Sequence, residues 1–268
     1  MTITAGQAAH NRLRLEADRL TSSTMASQKA WAVVAGVGPG TGASVARRFA
    51  QNYAVALLAR KPANFEPVVN EINAAGGQAI GISTDTSDSK SVKAAFEQLQ
   101  KEMGGASLAA AIYNVGGRFV RKPFLELTDE EFESGWEANG RGAFHFSQAV
   151  LPLLLKSTNT EHPPTLIFTS ATAAMKGSAL CASFATGKFA MRALAQSLAR
   201  EFGPKGVHVV HAIIDGVIDI ERTKDWKFDH PEAKIKPEAI ADSYWYLHTQ
   251  PRTCFTNEID IRPAVEKW

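Results

Sequence analysis

Short, almost continuous apolar runs alternate along the chain with longer segments in which apolar residues recur every three or four positions. The runs fall at 31–35, 55–59, 79–82, 108–113, 165–169 and 207–214, and a last strand is expected near 258–261. They are strand-length, whereas the segments 42–52, 66–75, 89–103, 128 to about 155 and 182–202 have helical spacing. Local punctuation agrees. Gly76-Gly77 and Gly104-Gly105 follow two of the helical segments, as helix C-termini prefer. Thr128 with Glu131 gives a capping-box pattern at the start of another. Strands without polar alternation are buried on both faces, which requires helices on both sides of a parallel sheet. The pattern predicts a doubly wound α/β domain over 28–268, with a mostly parallel seven-stranded sheet. Residues 1–27 stand outside it as an N-terminal extension: Leu13, Ala17 and Leu20 form one apolar stripe, and Thr21-Ser22-Ser23-Thr24 reads as a linker.

Size and charge narrow the class without defining it. A chain of 268 residues can bury a core without disulfides or metal. Its net charge of +2 gives no electrostatic footprint for nucleic acid. No apolar run approaches the roughly 20 residues that span a bilayer. The only cysteines, Cys181 and Cys254, are far apart and lack metal-ligand spacing. No secretory h-region precedes the domain, and Glu16 and Asp18 speak against an acid-poor targeting peptide. The expectation is a cytoplasmic protein that handles a small-molecule substrate, with no membrane, nucleic-acid or metal partner.

Chemistry enters at Ala35-Gly36-Val37-Gly38-Pro39-Gly40-Thr41-Gly42, between the first strand and the first helix. Backbone N–H groups at a helix N-terminus, with no Cβ in the way, suit the pyrophosphate of a dinucleotide. In strand–loop–helix context this is a strong signal for a Rossmann-type fold. The second strand ends in Arg60-Lys61, where an acid that would hold a ribose 2′-hydroxyl is missing. Two cations there suit a 2′-phosphate, so NADP is expected over NAD.

From about 30 to 216 the chain resembles the short-chain dehydrogenase/reductase family. The glycine loop is similar to that family's T-G-x-x-x-G-x-G, with Ala35 in place of threonine, and the other landmarks follow in the family's order. The resemblance implies cofactor-binding roles for Gly36, Gly38, Gly40, Thr41 and Gly42. It implies contacts to adenosine from Asp85, Thr86, Asn114, Val115 and Gly116, the last three within a segment resembling N-N-A-G. It implies a catalytic asparagine at Asn139, the active-site lysine at Lys188, and a nicotinamide-cradling loop at Gly216, Val217 and Ile218. Family members commonly pair two long helices across a two-fold axis, which implies a homodimer or homotetramer.

Two departures bear on mechanism. In the family's Y-x-x-x-K pattern the tyrosine is the general acid or base, and here that position is Phe184. Counting back without gaps puts Ala171 at the catalytic serine. Ser183, Thr172 or Tyr113 could supply the missing proton, and His248 is a histidine among aromatics whose packing role outweighs an acid role. Residues 219–237 lie where the family places its mobile lid, and the aromatic stretch at 244–248 is expected to cover the substrate end or an interface. The expected function is an NADP(H)-dependent oxidoreductase acting on a carbonyl, an imine or an activated C=C bond. Two alternatives stay open: a dinucleotide-binding sensor or interaction module, and a non-redox catalyst that keeps NADP as scaffold.

Overall fold

The apolar runs become strands because helices cover each of them on both sides. The computed structural model describes residues 30–266; the expected extension at 1–27 lies outside the described residues. Strands β1 (Trp31–Ala35), β2 (Ala54–Ala59), β3 (Ala79–Ser83), β4 (Leu108–Tyr113), β5 (Thr165–Ala171) and β6 (His208–Ile214) alternate with helices. The helices are α1 (Thr41–Ala50), α2 (Glu66–Ala74), α3 (Ser89–Glu102), α4 (Asp129–Trp136), α5 (Gly142–Leu155) and α6 (Ala182–Phe202). After β6 come β7 (Val217–Ile218), β8 (Lys234–Ile235), α7 (Pro237–His248) and β9 (Glu258–Ile261). The main sheet runs β3-β2-β1-β4-β5-β6-β9, and every pairing in it is parallel. The seven-stranded sheet with helices on both faces is therefore as expected, down to a last strand at Glu258–Ile261.

Side chains alternate between the two faces. Trp31, Val33 and Ala35 pack with Phe96, Phe146, Leu154 and Met191 from α3, α5 and α6. Ala32 and Val34 pack with Phe49, Ile72, Tyr244 and Leu247 from α1, α2 and α7. Bidentate Arg47–Glu71 ties α1 to α2, and Arg48 joins Asp242 and stacks over Trp245, tying α1 to α7. Exposed ion pairs of this kind are worth at most about 1 kcal/mol each, so burial does most of the holding.

Two expectations need correction. The helix expected from 128 to about 155 does run from 129 to 155 without a break, but not as one regular α-helix. Thr128 and Glu131 do form the reciprocal capping box of α4, but Glu137–Arg141 then widens into a π turn before α5. The wider turn frees the Ala138 carbonyl to accept a hydrogen bond from Tyr113 Oη at 2.5 Å. The second correction concerns the aromatic tail. The connection from β6 to its parallel neighbour β9 must run back along the sheet, and α7 provides that return. Its last residue, His248, consequently meets Thr165 at the amino-terminal start of β5. Phe255 stacks on His208 at the start of β6, with centroids 4.3 Å apart. His248 and Phe255 close the end of the sheet away from the glycine loop, whereas Tyr244 Oη donates to Thr169 Oγ1 at 2.9 Å and Pro263 packs against Gly216.

His248 is a core histidine. Thr165 Oγ1 donates to the Pro163 carbonyl and so accepts from His248 Nδ1–H at 3.0 Å; Nε2 then accepts from Tyr53 Oη at 2.8 Å. Burial, then the neighbouring His162 and His208, push its pKa from 6.5 down to about 3. A folded pKa below the unfolded one means that the unfolded chain binds more protons between those values. Stability is thus complete above about pH 6.5 and falls as the pH drops towards 3, by up to about 1.4 kcal/mol per pH unit. Urea unfolding at pH 7 and pH 5 should show this loss, and His248→Gln should flatten it. An equal slope in both proteins would mean that His248 titrates as it does in water.

Candidate functional site

The carboxyl ends of β1 and β4 meet with almost no space between their backbones. Gly36 has φ +85°, and a Cβ there would lie 2.5 Å from the Asn114 carbonyl carbon. Asn114 N–H donates to the Ala35 carbonyl at 2.8 Å, and Asn114 Nδ2 donates to the Gly36 carbonyl at 3.0 Å. The loop then turns into α1 beneath itself, where a Cβ on Gly42 would lie 2.6 Å from the Gly36 oxygen. No side chain caps α1, and its first turn carries no acid. Thr41 Oγ1 is buried and has no partner among the described residues. Uncapped N–H groups with a buried hydroxyl beside them suit an anion. Gly38 and Gly116 are different from Gly36 and Gly42: a Cβ on either would meet nothing within 4 Å. Their small size is not needed for packing and leaves the crevice clear.

Beside this loop is a cavity of about 340 Å³. Of the residues singled out from the sequence, Gly36, Arg60, Asp85, Thr86, Asn114, Val115 and Gly116 line it; Lys61 is exposed and does not. Asp85 Oδ1 accepts from Ser87 N–H at 3.0 Å and from Ser87 Oγ at 2.6 Å, which fixes the turn after β3. Asn64, Ser87, Arg118, Ser134 and Glu137 also line the cavity and were missed. The Asp85-x-Ser87 pattern, an Asx turn, could have pointed to Ser87. Asn64 returns to Arg60 through the 3₁₀ turn Pro62–Asn64. Nothing in the sequence marks Arg118.

A second group of side chains lies where α4, the π turn, β5 and α6 meet. Lys188 and Asn139 are both buried there. Lys188 Nζ donates to the Thr169 carbonyl at 3.2 Å, and burial pulls its pKa from 10.5 down to about 8. Asn139 Nδ2 donates to the Gly135 carbonyl at 2.8 Å, while its Oδ1 is buried without a partner among the described residues. The half-buried Phe184 ring lies 5.8 Å from Lys188 Nζ, and Phe119 meets it edge-on at 5.1 Å. Ala171 is half-buried at the end of β5. Helices α4 and α6 approach closely, since a Cβ on Gly187 would lie 2.2 Å from the Gly135 oxygen.

Three expected proton sources are otherwise engaged. Tyr113 is wholly buried, its hydroxyl bonded to Ala138 and Thr86, and its pKa is raised by burial. Ser183 Oγ donates to the carbonyls of Glu131 and Phe132, which holds α6 against α4. Thr172 Oγ1 donates to Asp215, which is paired in turn with Arg262 at 2.9 Å. The segment after β6 bends at Gly216 (φ +153°), pairs Val217 and Ile218 with Lys234 and Ile235, and folds over the glycine loop. There Ile220 Cγ2 would come within 2.9 Å of a Cβ on Gly40. Gly216, Val217 and Ile218 border this overhang and do not line the 340 Å³ cavity. Among the described residues no cluster of three or more His, Cys, Asp or Glu is placed to hold a metal, and no helix is long and apolar enough to cross a membrane.

The family model for short chain dehydrogenases matches residues 30–230. The chain belongs to the short-chain dehydrogenase family. A short-chain dehydrogenase structure from Rhodopseudomonas palustris is 35% identical, with a TM-score of 0.74 over 88% of this chain and 99% of that one. An alcohol dehydrogenase from Thermococcus sibiricus, complexed with 5-hydroxy-NADP, is 23% identical with a TM-score of 0.77, over 89% of this chain and 98% of its own. An uncharacterized oxidoreductase of Staphylococcus epidermidis is 25% identical over 234 residues, 87% of this chain and 96% of its own. The fold of this short-chain oxidoreductase is that of a nicotinamide-dinucleotide binder.

The open space at Gly116 yields a direct test. Gly116→Val should leave urea stability within about 1 kcal/mol, since no protein atom opposes the new side chain. It should weaken dinucleotide binding at least tenfold in a fluorescence titration. Unchanged affinity would mean that the crevice beside Gly116 is not where the dinucleotide runs.

Proposed function

We propose that this protein is an NADP(H)-dependent oxidoreductase that moves a hydride to or from a small organic substrate, with altered proton-transfer chemistry. The observation that carries this reading is the pairing of an uncapped, glycine-walled crevice with a buried Lys188 whose described hydrogen bond goes to a backbone carbonyl. In this reading the N–H groups of the loop and of α1 hold the pyrophosphate. Asp85, Thr86, Asn114, Val115 and Gly116 surround the adenosine, and Arg60 meets a 2′-phosphate. Lys188 grips the nicotinamide ribose, and Gly216, Val217 and Ile218 hold the carboxamide. The bound dinucleotide supplies the hydride. The 5-hydroxy-NADP complex of the Thermococcus protein and the NADP complex of a metagenomic short-chain oxidoreductase, 24% identical, support NADP as the cofactor.

Phe184 and Ala171 stand in this reading at the family's tyrosine and serine. Phenylalanine has no proton to give, and losing a general acid typically costs about 10²–10⁴ in rate. Wild-type protein should therefore bind NADP(H) yet turn over simple ketones and secondary alcohols poorly. The missing phenol also favours a second reading, a dinucleotide-binding module without turnover. Exposed Phe144 on α5 and Phe189 on α6, 46% and 42% accessible, support pairing of copies through these helices.

Calorimetric titration should show NADPH binding more tightly than NADH, and Arg60→Ala should remove most of that difference. Equal affinities in both proteins would make Arg60 an ordinary surface cation. Phe184→Tyr together with Ala171→Ser should leave NADPH affinity within a few-fold and raise ketone reduction by about 10² or more. No gain, with binding intact, would favour the module without turnover.

A further inference from the structure

The proton that must accompany the hydride has few sources. The hydroxyls of Tyr113, Ser134, Ser183 and Thr172 all donate to protein acceptors. Ser170 Oγ is buried in β5, on the sheet face opposite Thr169. Lys188 is the protonated side chain beside Phe184, and only one of its N–H groups has a described acceptor, the Thr169 carbonyl. The phenyl ring fills the space next to the ammonium without binding it as a phenol would.

We propose that Lys188 is itself the proton donor, giving a proton from Nζ to the oxygen of an activated neutral ketone or of a carbonyl conjugated to C=C. The proposal rests on the cofactor reading above and adds to it a donor and a substrate class. Hydride arriving at the substrate carbon shifts an electron pair onto oxygen; oxygen takes a proton from Nζ; Lys188 is left as a neutral amine, and a solvent proton restores it. Iminium substrates, which need no proton, have no use for such a donor.

The surroundings suit this role. Burial alone lowers the ammonium to about 8, and a general acid works best near the ambient pH. His211, on β6, is the nearby titratable group; burial pushes it down to about 4, so near neutral pH it carries no positive charge to repel the ammonium. Its Nδ1–H points to Glu258, and Glu258 is held by Arg192 one turn along α6 from Lys188. Asn139 contributes an amide and no charge.

The test uses NADPH-saturated protein with isatin, an activated neutral ketone, between pH 6.5 and 9.5. With Lys188 as acid, kcat/KM should be flat below about pH 8 and fall about tenfold per unit above it. Nζ resonances of ¹⁵N-lysine-labelled protein should report the same midpoint without substrate. Lys188→Arg keeps a positive charge but cannot give up a proton near neutrality. It should hold NADPH within about fivefold, lose at least about 100-fold in kcat/KM, and abolish the alkaline fall. Ser170→Ala and Cys181→Ala should keep that fall. A rate independent of pH from 7 to 9, a Lys188→Arg enzyme within tenfold of wild type, or NADPH binding with no isatin reduction would each overturn the proposal alone. Failure of wild-type protein to bind NADPH would overturn the cofactor reading beneath it.

Discussion

The backbone contact between the carboxyl ends of β1 and β4 is the constraint on which the rest of the site depends. Strand order reverses here: β2 and β3 extend to one side of β1, and β4, β5, β6 and β9 to the other. At such a switch point the connections diverge to opposite faces and leave a crevice. In this chain Asn114 stitches the crevice floor with its amide N–H and its side chain, both bonded to the Ala35-Gly36 turn. Gly36 must be a glycine for that approach, and Gly42 for the helix to start beneath it. The direction of α1, and with it the set of free N–H groups at its start, follows from those two positions.

Lys188, buried between α6 and β5, is the second point on which the cofactor reading depends. A buried ammonium without a paired carboxylate is costly, and proteins that retain one usually pair it or lower its pKa. Here the pKa is lowered, and the adjacent side chains Phe184, Asn139 and Ala171 carry no charge. Nearby charges are instead consumed among themselves, Asp215 with Arg262 and Glu258 with Arg192. A bound ribose would satisfy Lys188 with neutral acceptors. On the proposed reading, the ligand brings hydroxyls to the lysine and phosphates to α1.

How legible was this in the sequence? Uninterrupted apolar runs such as 31–35 and 108–113 specify parallel strands almost without context, because burial on both faces removes polar alternation. The glycine loop was legible for a similar reason: few uses other than phosphate binding need four glycines between a strand and a helix. What escaped prediction depends on contacts between distant segments. The π turn at Glu137–Arg141 accompanies a bond from Tyr113, 25 residues earlier, and helical periodicity runs straight through it. The aromatic tail was expected over the substrate end or an interface; His248 and Phe255 lie at the opposite end of the sheet, because sequence gives α7 a length but no direction. Ser183, Thr172 and Tyr113 looked like available donors until their acceptors appeared. Arg118 reaches the cavity from a loop with no periodic signal.

The central claim is that a single dinucleotide spans both points, with phosphates on the glycine loop and the nicotinamide ribose on Lys188. A crystal structure of the NADPH complex tests it most directly. The account predicts the 2′-phosphate within hydrogen-bonding distance of Arg60, and a nicotinamide ribose hydroxyl about 3 Å from Lys188 Nζ. A complex in which the ribose lies away from Lys188, or the 2′-phosphate away from Arg60, would contradict it.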